Sequence, residues 1–123
     1  MEDSAINTAE APSELLSSNV DDMSVSVIYK DDVAKISLSG ELSFSSRKVF
    51  RKISTEVLSK ENVRSIEIAM GQVKSIGTTG IGLLYLLHDR AELANKKLVL
   101  LNCSGQVKEW INIVNANNIF NVR

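Results

Sequence analysis

The residues best placed to do chemistry lie between Ile76 and Leu87, where the stretch IGTTGIGLLYLL joins a Gly/Thr turn to an apolar run, with no charged residue between Lys74 and Asp89. Two adjacent hydroxyls, on Thr78 and Thr79, stand between Gly77 and Gly80 at the point where a helix begins. The free amides and macrodipole of a helix N-terminus favour an anion by about 0.3 to 1 kcal/mol, and by ~2 kcal/mol in partly buried geometries. A phosphate on either hydroxyl would be held well there. The turn is therefore either a plain cap, with a threonine oxygen accepting from free amides, or a phosphorylation switch.

Other chemistries find less support. The glycines Gly77, Gly80 and Gly82 match neither the dinucleotide fingerprint, which needs glycine where Thr79 stands, nor the phosphate loop with its Gly-Lys-Ser/Thr ending. Mononucleotide binding stays open as a third reading. His88 is the one histidine, placed mid-helix between Leu87 and Asp89 with no nucleophile arranged beside it, and reads as a helix-surface residue. Cys103 is the single cysteine, which excludes an intrachain disulfide and a cysteine metal cluster; it follows an apolar strand, as a buried inert thiol would. Glu41, Glu67, Glu92 and Glu109 are scattered singly, without the paired spacing of acid/base catalysis. The sequence calls for no cofactor and no metal, and it reads as a binding module and not as an enzyme.

The elements that must position the turn follow from periodicity. Residues 1 to 22 carry polar and acidic residues, Pro12 and only Leu15 and Leu16 as bulky neighbours, which predicts a disordered tail or at most one short helix. The folded domain is expected over residues 23–123. Val25, Val27 and Tyr29 alternate, as do Ala34, Ile36 and Leu38, so two strands form a hairpin around Lys30-Asp31-Asp32, the second ending at Gly40. Phe50, Ile53 and Val57 make the apolar stripe of a helix from Ser45 to about Lys60. A strand over Val63 to Met70 leads through a loop into the central helix, about Thr79 to Ala94. Leu98 to Leu101 is apolar on both faces, as in a strand buried within a layered sheet. Val107, Trp110, Ile111 and Val114 mark a last helix, anchored by a largely buried Trp110, then a turn over Asn115 to Asn118 and a short strand within Ile119 to Val122. This order predicts a single α/β domain, a mixed, mostly parallel β-sheet with helices packed against it.

Composition sets outer bounds. The chain has 123 residues, enough for one domain with a real core and too few for two. With 44% apolar and 24% charged residues it resembles an ordinary soluble protein, and no window approaches the ~20 apolar residues of a membrane helix. The start lacks the basic and apolar regions of a secretory signal, which points to the cytoplasm. The net charge of −1 is uneven: Glu2, Asp3, Glu10, Glu14, Asp21 and Asp22 give residues 1–22 a charge of −6, leaving −1 + 6 = +5 on the rest. Those cations lack an interleaved aromatic set, so they read as a solvated surface and not as a nucleic-acid groove.

Three stretches carry a family resemblance: Gly40-Glu41-Leu42 after the second strand, Gly71-Gln72-Val73 before the central turn, and Thr78-Thr79-Gly80-Ile81-Gly82 opening the central helix. Over about residues 24 to 122 the chain resembles the STAS domain of bacterial anti-sigma factor antagonists, whose motif reads Asp-Ser-Ser/Thr-Gly-Leu/Ile-Gly. The resemblance implies a switch protein that binds an anti-sigma factor with a serine/threonine kinase-like domain when unphosphorylated, freeing a sigma factor, with a serine/threonine phosphatase resetting it. It makes Thr79 the phosphorylated residue, with Thr78 second, and implies a partner face of Ser43, Phe44, Gly77, Thr78, Thr79, Gly80, Ile81 and Gly82. With the composition, the expected partners include no direct nucleic acid and no membrane insertion. Gly77 replaces the motif aspartate and Ser43 an acidic residue common after Gly-Glu-Leu, which removes negative charge from beside a phosphate. The alternative is a constitutive STAS-like cytoplasmic subunit of a lipid-transporting ABC complex.

Overall fold

The computed structural model describes residues 15–20, 23–115 and 118–123, the first run by its backbone. The two apolar alternations do form a hairpin. Strand β2 (Met23–Lys30) and strand β3 (Val33–Leu42) pair antiparallel about the turn Asp31-Asp32, with Asp31 in the left-handed region (φ 57°) that such tight turns use. The second strand does not end at Gly40. It bulges there, Gly40 taking φ 107°, and runs on to Leu42, so a position that reads as a strand end re-aims the strand instead.

A sixth strand lies in the region expected to be unstructured. Strand β1 (Leu15–Val20) pairs antiparallel with β2, from Leu15 opposite Ile28 to Val20 opposite Met23. Backbone pairing along the edge of β2 orders this stretch. The expectation of a tail through residue 22 fails for residues 15–20, while residues 1–14, 21 and 22 lie outside the described residues.

The rest alternates as expected: α1 (Arg47–Leu58), β4 (Ser65–Ile76), α2 (Thr78–Leu93), β5 (Lys97–Leu101), α3 (Gly105–Val114) and β6 (Asn121–Val122). Strand order is β1-β2-β3-β4-β5-β6, with β3 through β6 parallel. The three crossovers step in one direction, and their usual right-handed sense puts α1, α2 and α3 over one face. Val27, Ile36, Ile66, Ile68 and Leu100 of that face meet Phe50, Leu84 and Ile111 of the helices in one buried cluster. Ser24, Lys35 and Ser39, from the alternate positions, are exposed.

Two further expectations change. β4 does not stop at Met70; it continues through Gly71-Gln72-Val73 to Ile76, because Gln72 and Val73 pair with Ser39 and Gly40 of the bulged end of β3. No separate loop precedes α2. Trp110 is 41% exposed, whereas Val107 and Ile111 are buried, so α3 is anchored by the aliphatic stripe and the indole lies on its flank.

Candidate functional site

The site is built at the carboxyl ends of β3 and β4, and its geometry starts with one carbonyl. Leu42 is fully buried, and its main-chain oxygen accepts from the Gly77 amide at 3.3 Å. A Cβ built on Gly80 would overlap that same oxygen and stand 2.7 Å from Ile76 Cγ1. Only glycine lets the first turn of α2 lie this close to the end of β3. The contact brings the loop after Leu42 beside the start of α2.

Thr78 and Thr79 are the first two residues of α2, and both are exposed. Neither caps the helix. The N-cap is Gly77, in extended backbone (φ −97°, ψ −177°), with no side-chain cap and with its carbonyl accepting from the Ile81 amide at 3.0 Å. Both hydroxyls therefore stand free of a capping role at the positive pole of a helix whose first turn carries no acidic residue. Gly77 needs no special conformation, and a side chain there meets open space, as it would at Gly82. Gly77 and Gly82 are exposed, but Gly80 is buried and Ile81 is 7% exposed. Of the expected contact residues, Gly80 and Ile81 therefore support the turn from behind.

The neighbouring loop, residues 43–46, is fixed by Ser46, one of three serines that position alone makes candidate caps of α1; it makes no side-chain cap and turns inward instead. Ser46 is fully buried; its Oγ accepts from the Ser43 amide at 2.9 Å and reaches the carbonyl oxygens of Glu41 and Ser43, each at 3.1 Å. Among Ser43, Ser45 and Ser46, only the last has this inward placement, which pattern alone does not show. The fold it imposes leaves Ser43 half-buried and Phe44 63% exposed. Arg47 holds Phe44 in place, its guanidinium 3.7 Å over the ring centroid and its Nη1 donating to the Phe44 carbonyl at 2.9 Å.

His88 and Cys103 are not brought to this site. The His88 side chain is only 17% exposed, its ring edge-on to Phe120 at 5.9 Å, with Nδ1 3.3 Å from Asp89 and Nε2 3.7 Å from Glu92. Nine residues along α2 separate it from Thr79, about 14 Å at the helical rise. The Cys103 thiol is half-buried, and burial pushes its pKa above the ordinary value, with the Lys108 charge pulling the other way. Among the described residues no group of three His, Cys, Asp or Glu side chains could hold a metal, and no helix is long and apolar enough to cross a membrane.

The STAS domain model matches residues 24–123. Among solved structures, an anti-sigma factor antagonist from Mycobacterium paratuberculosis is similar at TM-score 0.74 and 16% identity, over 85% of this chain and 88% of that one. The antagonist SpoIIAA in its unphosphorylated form is similar at TM-score 0.58 and 17% identity, over 81% and 83%. The Bacillus cell fate determinant SpoIIAA in its phosphorylated form gives 0.61 and 15%, over 89% and 91%. No curated protein matches the chain in sequence. At these identities the structures speak for the fold, and the model, spanning nearly all of the sheet and helices, speaks for the family: the chain belongs to the STAS domain family.

Proposed function

We propose that this protein is an anti-sigma factor antagonist, a non-enzymatic cytoplasmic partner-switching protein controlled by phosphorylation of Thr79. In this reading it binds an anti-sigma factor with a serine/threonine kinase-like domain when unphosphorylated, and so releases a sigma factor for transcription. The kinase closes the switch and a serine/threonine phosphatase reopens it. The observation that carries the reading is the exposed, uncapped pair Thr78 and Thr79 on the first turn of α2, next to the loop that presents Phe44. The likeness to antagonist structures, including one named as a phosphorylated form, supports it.

The electrostatics give such a switch its range. A phosphate adds about −1.5 to −2 charges, and each unit at roughly 5 Å from a partner carboxylate costs about 3 kcal/mol at an effective dielectric near 20. That weakens a complex more than a hundredfold. Within the free protein the same charge sits at a helix N-terminus, which favours it. The test is capture of the kinase-like partner from cells on tagged protein: wild type and Thr79→Ala should retain it, Thr79→Glu should lose most of it, and phosphate should be found on Thr79. Equal capture by all three, with no phosphate on Thr78 or Thr79, would sink the proposal.

A further inference from the structure

The first six residues of α1 contain four cations, Arg47, Lys48, Arg51 and Lys52, and its first turn contains no acid. Arg47 and Lys48, in the first turn, oppose the macrodipole at a cost of about 0.3 to 1 kcal/mol each when exposed, and Arg51 and Lys52 add like charge in the turn that follows. Among the described residues no carboxylate lies within ion-pair distance of any of the four; Glu56, toward the other end of the helix, pairs with Lys60 beyond it. Arg90 of α2 adds its charge alongside, its Nη2 donating to Thr55 Oγ1 at 3.2 Å. Arg47, Lys48, Arg51, Lys52, Thr55 and Glu56 line a shallow, wide-open groove along this one face of α1. Accumulated like charge at the unfavourable pole of a helix is a local conflict of the kind found where a surface serves a partner.

We propose that this groove is a second docking surface, for an acidic segment of a partner protein, one that does not use Thr78 or Thr79. The cations extend about 7.5 Å along the axis from Arg47 to Lys52, with side-chain neighbours about 5 to 6 Å apart. That spacing suits several carboxylates of one segment, whereas a lone phosphate cannot reach all four charges. Single-stranded nucleic acid would need a set of stacking platforms, and the one adjacent aromatic, Phe44, has a ring face occupied by the Arg47 guanidinium. An anionic membrane would need apolar anchors among the cations, and beyond Phe44 the large exposed apolar residues, such as Leu86, Leu93 and Ile113, lie on other elements. Through the Arg47–Phe44 contact the groove is continuous with the loop beside Thr79, so one partner could cover both.

The test titrates the full chain at low salt with a fluorescein-labelled ten-residue polyglutamate peptide. Lys48→Glu with Arg51→Glu should weaken binding by about tenfold or more, and 0.5 M NaCl should abolish it, as expected of a solvent-exposed charge patch. Lys35→Glu with Lys97→Glu, an equal charge change on the sheet, should alter binding less than about twofold. Lys48→Gln with Arg51→Gln keeps the comparison available if the reversed pair misfolds. Equal losses in the groove and sheet variants would reduce the effect to net charge and overturn the proposal. So would absence of peptide binding, or groove-dependent binding of phosphatidylserine vesicles or single-stranded DNA in preference to the peptide.

Discussion

The main-chain oxygen of Leu42 and the Cα of Gly80 approach so closely that no side chain fits between the end of β3 and the first turn of α2. The obstructing atom is backbone, in a strand that cannot swing aside. Gly80→Ala should therefore destabilise the domain by about 1 to 3 kcal/mol, the scale of overpacking, although alanine is the better helix former. Urea denaturation measures this, and an unchanged midpoint would refute the steric account.

Gly77 has the opposite prognosis. Its backbone is extended, its Cβ would meet open space, and it occupies the N-cap. Gly77→Asp should stabilise the protein by a few tenths to about 1 kcal/mol, by capping the free amides and complementing the dipole. The same carboxylate would stand beside a phosphate on Thr79 and should slow phosphorylation. A rise in thermal midpoint with slower phosphate incorporation is the expected pair of results.

For Trp110 the flank position predicts a modest cost. Truncation of a fully buried tryptophan costs about 3 to 5 kcal/mol, but with 41% of this residue exposed, Trp110→Ala should cost about 1 kcal/mol. Native emission should be red-shifted relative to a buried indole. A loss above 3 kcal/mol would return the ring to the core.

Cys103 should behave as a slow thiol. Burial raises its pKa in the folded state above the unfolded value, so the proton is held more tightly when the chain is folded. The associated stability is fully present below the unfolded pKa and is lost as pH rises through the folded one. Alkylation by iodoacetamide near pH 8 should be slower than that of free glutathione, and denaturation in urea should remove the difference.

The four core elements with strict periodicity were legible in the sequence, since Val27, Ile36, Phe50 and Ile111 each declare a face by spacing alone. What was not legible depends on distant partners. Leu15 to Val20 looks structureless until β2 offers an edge, and Gln72 looks like a loop residue until Ser39 is seen across from it. Trp110 lies three residues from Val107 and fits the stripe, yet Val107, Ile111 and Val114 centre it to one side, leaving the indole on the rim. At the site, the Gly/Thr turn announced itself. The inward hydroxyl of Ser46 did not, because three serines within four residues are equivalent until the backbone chooses one.

The sheet joins two halves that differ in how much chain must be brought together. β2 and β3 meet across the two residues Asp31-Asp32, whereas β4 finds β3 only after the whole of α1 has been traversed. Loop closure disfavours the second event and slows it. The hairpin is thus expected to form first, and the loop after β3 and the start of α2 acquire their relative placement only when the parallel crossover closes. A nascent chain released no further than α1 would own Phe44 and the cations of α1, but would have no Gly80 to set against Leu42, and so nothing to hold the Phe44 loop beside the first turn of α2.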